Sequence, residues 1–254
     1  MAKNASSLYS IKSGNAKAKI NIFWLPTWGQ TMYSWEHVEP AFDDIAINHL
    51  IDFPGFGQAP ASNRALFTAD YAQMLADYIS ENTNSQSKNF IVGHGFGAQV
   101  AIVLAAKNSK LNLDGIILIG AGGFKDKTSW FKKIIQNVAK RFGKFCYKIH
   151  PKFHEFMLKL YASNDFINSQ GMRKTYLNVI SENISVFAHK INTPTYLIYG
   201  SIDYLNPSIF GVKYHTMIKN STLTILPNLD NETLLSKGAE RIEKLIASAI
   251  EEQR

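Results

Sequence analysis

A chain of 254 residues, 46% hydrophobic and 19% charged, carries enough apolar material for one large α/β core or two small ones. Its 16 glycines and 8 prolines are ordinary, which excludes collagen-like and disordered classes. No apolar run reaches the ~18 residues that span a bilayer, the polar opening MAKNASSLYSIKSGNAKAK has no apolar signal core, and the single Cys146 excludes an internal disulfide or a cysteine metal cluster. A cytoplasmic location is therefore the expectation.

The net charge of +7 is unevenly spread. Residues Phe124 to Lys190 hold 13 basic and 4 acidic side chains, whereas the rest of the chain holds 14 and 16. A local basic block of this kind points to an anionic partner or a membrane surface, or to a solvated face.

In chain order, Leu8 to Ile20 has Ser13-Gly14-Asn15 at its centre and reads as a hairpin. Short apolar runs, rich in β-branched residues, follow at Lys19–Leu25, Asn48–Phe53, Asn89–Gly93, Gly115–Ile119, Thr195–Gly200 and Thr222–Leu226. Their continuous apolar character predicts strands buried on both faces of a parallel sheet. Between them, Thr68–Glu81, Phe96–Lys107, Asn206–Ile218 and Glu232–Glu252 have the spacing of amphipathic helices. Thr68 reads as a helix cap, with Tyr71, Leu75 and Tyr78 on one stripe. The alternation predicts a three-layer α/β fold. It breaks between Phe124 and Lys190, where helical patterns follow one another without a strand. There Trp130, Phe131, Ile134, Ile135, Val138, Phe142 and Phe145 form one stripe, with Lys132, Lys133, Lys140, Arg141 and Lys144 around it. Residues 1–123 and 191–254 thus read as a core, and 124–190 as a helical insertion.

The segment Phe90-Ile91-Val92-Gly93-His94-Gly95-Phe96-Gly97-Ala98 is a buried strand, a tight glycine turn and a helix start. It resembles the G-x-S-x-G nucleophile elbow of the α/β-hydrolase superfamily. The resemblance extends over most of the chain. Asp52-Phe53-Pro54-Gly55-Phe56-Gly57 resembles the D-x-P-G-x-G loop of that superfamily, and Trp24-Leu25-Pro26-Thr27-Trp28-Gly29 its L-L-H-G-x-G oxyanion loop. Tyr199-Gly200-Ser201-Ile202-Asp203 resembles the strand that presents the triad acid, and Pro227-Asn228-Leu229-Asp230-Asn231 the P-G-x-G-H loop that presents the triad histidine. The insertion falls where capped members, such as prolyl aminopeptidases, carboxylesterases and C–C bond hydrolases, place their lid.

The resemblance implies a triad at Gly95, Asp203 and Asn231, of which Asp203 alone has the expected chemistry. Gly95 has no nucleophilic atom, and Asn231 stands where the base belongs. An acyl-enzyme route needs the nucleophile, a base to take its proton and an acid to orient that base. The leading expectation is a protein with the hydrolase fold that binds or scaffolds without catalysis. The alternatives are an active hydrolase or lyase on a small ester, amide or carbonyl compound through non-standard residues, and a membrane-surface or partner-binding protein acting through the basic cap. Thr27, Trp28, Gly29 and Phe96 are the candidates for lining a ligand pocket, with a small molecule expected in the cleft beneath the cap. His94 is expected to point away from that pocket, and Asp230 to form a turn. No cofactor, metal or nucleic acid is expected: the glycines lack the dinucleotide pattern, His150 and His154 lack further ligands, and no nucleic-acid module is present.

Overall fold

Six consecutive buried residues cannot all face one side of a strand, because successive side chains alternate. The computed structural model, which describes residues 8–108, 111–125 and 171–253, shows how that conflict is resolved. In β2 (Ile20–Leu25) every residue is buried. Phe23 and Leu25 enter one core, and Ile20, Ile22 and Trp24 enter another. In β4 (Lys88–His94) and β5 (Gly115–Ile119), Ile91, Ile116 and Leu118 join the first, and Phe90, Val92, Ile117 and Ile119 the second. Full burial of each such side chain is worth roughly 1.5–3 kcal/mol.

These strands sit in the middle of a seven-stranded sheet of order β1-β3-β2-β4-β5-β6-β7, completed by β1 (Tyr9–Gly14), β3 (Ala46–Asp52), β6 (Thr195–Gly200) and β7 (Ser221–Leu226). All neighbours are parallel except β1 with β3. Helices α1 (Thr68–Asn82), α2 (Phe96–Lys107) and α4 (Ser208–Met217) cover one face with Tyr71, Leu75, Val100, Leu104 and Tyr214. The C-terminal helix α5 (Ala239–Glu252) covers the other through Ile242, Ile246 and Ile250, beside Met32, Trp35 and Phe42. This is a three-layer α/β fold, as the alternation of patterns predicts. None of the described helices is long and apolar enough to cross a membrane.

Three expectations need correction. The first strand is not half of a local hairpin: β1 pairs antiparallel with β3, Ile11 opposite Leu50, while β2 runs parallel on the far side of β3. The turn signal is real, since Gly14 has φ 78°, but β2 is buried on both faces and takes β3 and β4 as neighbours. Thr68 is not the cap of α1. The Phe67 N–H donates to Asp70 at 2.7 Å, and the Thr68 hydroxyl donates to Glu182 at 2.8 Å. Finally, α5 starts at Ala239 and not at Glu232, because residues 230–238 form successive turns.

Of the expected cap, the described part is α3 (Arg173–Ser181) and a 3-10 segment, Ile184–Lys190. Helix α3 buries Thr175, Tyr176 and Val179, while Ile184 and Ala188 pack in the core beside α2. The aromatic stripe from Trp130 to Phe145, its lysines, and His150 and His154 lie outside the described residues.

Candidate functional site

The parallel strands end together, so the loops after β2, β4, β5, β6 and β7 meet at one edge. The tightest of them is the turn between β4 and α2. Its apex, Gly95, has φ 52° and ψ −106°, a conformation that Cβ-bearing residues resist. The Gly95 N–H donates to the Ile119 carbonyl at 2.9 Å, and the Gly97 N–H to the Pro26 carbonyl at 3.1 Å. These bonds lock the turn to β5 and to the loop after β2.

A side chain at the apex would have no room. A Cβ built on Gly95 falls far inside van der Waals contact with the Thr27 hydroxyl. That hydroxyl also accepts the Phe96 N–H at 3.4 Å. In an elbow of this type, the N–H after the nucleophile is one of the two oxyanion donors. Thr27 therefore fills the space that a side chain at position 95 would need and takes up the Phe96 N–H. It stands where the oxyanion loop pattern has glycine, so side chain and hydrogen are exchanged between positions 27 and 95.

Asp203, Asn231 and His94 converge around Gly120. A Cβ on Gly120 would stand 3.3 Å from Asn231 Oδ1, 3.8 Å from His94 Cδ2 and 3.9 Å from Asp203 Oδ2. Asp203 is 5% exposed, and its Oδ1 accepts the N–H groups of Leu205 and Asn206, both at 2.9 Å. Its Oδ2 is buried and has no hydrogen-bond partner among the described residues. Burial raises the Asp203 pKa, the two loop N–H groups oppose the shift, and Asp230 adds to it.

His94 does not point away from this cluster. Its Nε2 lies 3.1 Å from Asn231 Oδ1, and burial lowers its pKa to about 4, so it is a neutral imidazole at pH 7. With the Asn231 carbonyl as acceptor, Nε2 carries the proton and Nδ1 is the bare nitrogen, which has no partner among the described residues. The Asn206 amide, which no motif in the sequence singled out, lies 3.5 Å from the same Asn231 oxygen. Asp230 is a turn former: its Oδ1 accepts the Thr233 N–H at 2.9 Å and the Thr233 hydroxyl at 2.6 Å. Among the described residues, no three His, Cys, Asp or Glu side chains form a metal-binding group.

The four pocket candidates part company. Trp28 and Phe96 are core residues, 9% and 3% exposed. The Trp28 ring packs against Phe56, Phe96 and Tyr176 at centroid distances of 4.9, 5.2 and 5.3 Å, so α3 and the sheet's loops meet through aromatic rings. Thr27 is half-buried beside Gly95, and Gly29 is exposed. None of the four lines the cavity of about 620 Å³ that opens beyond this aromatic block, between the 54–66 loop and the start of α3.

Residues 21–207 match the family model of the α/β hydrolase fold. The chain belongs to that family. No curated protein matches it significantly in sequence. Among solved structures it is similar to a lipase-esterase related protein from Clostridium acetobutylicum, with TM-score 0.71 and 18% identity over 95% of this chain and 98% of that one. It is also similar to a hydrolase from Pseudomonas aeruginosa, with TM-score 0.73 and 14% identity over 98% and 96%. A thermophilic esterase from Thermogutta terrifontis gives TM-score 0.70 and 16% identity over 97% and 93%. At these identities the likeness concerns the fold alone.

Proposed function

We propose that this α/β-hydrolase-fold protein is a non-catalytic member that binds a small molecule beneath its cap and does not hydrolyse it. The observation that carries this reading is the Thr27–Gly95 exchange. The apex has no side chain, and the space and the Phe96 N–H that a nucleophile and oxyanion would use are taken by Thr27. Asn231 supplies no base in place of histidine, and His94 spends its Nε2 on Asn231. A triad acts as a unit, so a lone orienting carboxylate gives little rate.

The expected outcome is that the purified protein neither turns over p-nitrophenyl acetate nor is labelled by a fluorophosphonate. Gly95→Ser alone stays inert, because Thr27 obstructs the new side chain and no base is present. The triple change Thr27→Gly, Gly95→Ser, Asn231→His is the smallest rebuild expected to be labelled. Saturable turnover by the wild-type chain, with the label mapped to one residue, overturns the reading in favour of an active hydrolase using non-standard groups.

A second reading, attachment to an anionic membrane surface through the cap, draws on the 13 basic and 4 acidic residues of 124–190 and on Leu177 and Ile180 of α3, 45% and 56% exposed. Its test is co-sedimentation with anionic vesicles that is lost at high salt and on joint mutation of Lys132, Lys133, Lys140 and Arg141.

A further inference from the structure

The two edge strands of the sheet are protected unequally. At one edge, β1 carries Lys12 within the strand, and an edge lysine opposes pairing with a further strand. At the other, β7 reads Ser-Thr-Leu-Thr-Ile-Leu, with no charge, proline or glycine. On its inner side β7 is bonded to β6: the Thr195 N–H donates to the Asn220 carbonyl at 2.8 Å, and the Ser201 N–H to the Leu226 carbonyl at 2.9 Å. Alternation along the strand then turns the N–H and C=O of Ser221, Leu223 and Ile225 outward, away from β6. Among the described residues, no strand pairs with that outer side.

The surroundings of this edge are apolar. Among the described residues, seven of the fifteen exposed large hydrophobic side chains lie between Ile202 and Ile225, so exposed apolar surface is concentrated here. Helix α4 stands over the gap between β6 and β7, because Gly211 lies directly on Tyr199 and Leu223, where a Cβ would collide with both rings and methyls. His215 Nδ1 of α4 lies 3.0 Å from the Ser221 hydroxyl, so the helix turns its His215 side toward the edge. Val212, three residues earlier, shares that side and is 40% exposed.

We infer that β7 is the seam of a symmetric dimer, in which a second copy of this chain adds its own β7 antiparallel and continues the sheet. The twofold axis passes through Leu223, perpendicular to the sheet. Leu223 then faces Leu223 of the second copy, Ser221 faces Ile225, and each facing pair exchanges both of its backbone hydrogen bonds. Three features select this occupant. The axis keeps both α4 helices on one face, about two strand spacings or roughly 10 Å apart, the distance of packed helices, with Val212 between them. Antiparallel pairing sets the end that carries Lys219 against the end that carries Asp230 and Glu232, whereas parallel pairing would set like charge beside like. A patch that pairs with itself also closes at two copies, while β7 against the β1 edge would propagate and meet Lys12. The dimer puts the two elbows at opposite ends of the shared sheet, and it holds whether or not the elbow is catalytic.

The test is sedimentation velocity of the full chain over a range of concentrations. A dimer is expected at about 50 µM, dissociating on dilution. Ile225→Pro removes an outward N–H and no bond to β6, and Val212→Glu puts like charges between the α4 helices. Each is expected to weaken association at least about tenfold, with circular dichroism unchanged. The register is read in a Cys146→Ser background, which removes the one native thiol. Facing residues have Cα atoms about 5.5 Å apart, within disulfide reach. Under mild oxidation, Ser221→Cys mixed with Ile225→Cys should give the mixed disulfide, and neither chain should link to itself. A monomer at about 200 µM, a dimer that survives both Ile225→Pro and Val212→Glu, a self-linked Ile225→Cys chain, or species that grow beyond the dimer each overturn the seam.

Discussion

Asp52 and Asp203 are both buried at the carboxyl edge of the sheet, 0% and 5% exposed, and their carboxylates are held in opposite ways. Asp52, at the end of β3, gives each oxygen a backbone donor: Met32 N–H at 2.7 Å on Oδ1 and Gln58 N–H at 2.9 Å on Oδ2. It closes two loops and has a donor on each oxygen. Asp203, just after β6, accepts two loop N–H groups on one oxygen and leaves Oδ2 buried with no partner among the described residues. An orphaned buried acceptor costs about 1–3 kcal/mol. Among the described residues, then, Asp203 keeps one oxygen open toward Asn231 and His94, whereas Asp52 is bonded into two loops through both.

The largest effect should come from the finished carboxylate. Asp52→Ala strands two loop N–H groups and is expected to cost about 3 kcal/mol, read as a lower denaturant midpoint. A loss below about 1 kcal/mol would erase the contrast between the two aspartates.

Next in size is the elbow. Gly95→Ala meets both the positive φ and the Thr27 hydroxyl, and is expected to cost about 1–3 kcal/mol. Thr27→Gly in the same chain removes the collision and leaves the backbone strain. A double-mutant cycle should therefore show coupling of about 1 kcal/mol between the two sites. Strict additivity would mean that position 27 is not the seat of the missing side chain.

What could be read beforehand follows from which interactions are local. Gly115–Ile119 and Phe96–Lys107 have the same bounds in pattern and structure, because continuous apolar runs and helical spacing are decided within the element. The elbow was legible from Gly93, Gly95 and Gly97, whose spacing reflects the turn itself. The pairing of β1 was not, since Tyr9–Gly14 finds its partner in Ala46–Asp52, across the sheet edge. His94 was misplaced because its direction depends on Asn231, 137 positions away. Thr27 did carry a signal, a β-branched residue where the loop pattern has glycine, but only its contact with Gly95 gives that departure meaning. The cavity had no signal at all: its walls join the 54–66 loop to the start of α3, and no motif spans them.

The orphaned oxygen can be offered its partner. With Asn231→His, Asp203 Oδ2 gains a donor within the same small space beside Gly120. The new imidazole should titrate at least about one unit higher with Asp203 present than with Asp203→Asn in the same background, by NMR, because the carboxylate favours its charged form. A pKa raised by a partner adds stability that is complete below the unfolded value of about 6.5 and is lost as pH rises through the folded value. Equal pKa values in the two backgrounds would show that Oδ2 is aimed elsewhere.

The smallest effect, and the one that separates the aspartates most cleanly, is Asp203→Asn in the otherwise wild-type chain. The amide oxygen can keep the Leu205 and Asn206 N–H groups while the buried charge disappears. The Asp203 pKa is raised by burial above its ordinary value of 3.8, so the folded state binds its proton more tightly than the unfolded state does. Its contribution is therefore fully present below about pH 3.8 and declines as pH rises through the folded value. At pH 7 the substitution should be neutral or stabilising by up to about 1 kcal/mol, with the gain vanishing toward pH 3. His49 and His94 move stability the other way. Burial lowers both to about 4, so what they contribute is complete above about pH 6.5 and is lost as pH falls toward 4. Stability curves of the wild type and Asp203→Asn should then share their acid limb and diverge on the neutral side. A substitution that costs stability at pH 7, as Asp52→Ala does, would mean that Oδ2 has a partner and that the two aspartates are equivalent.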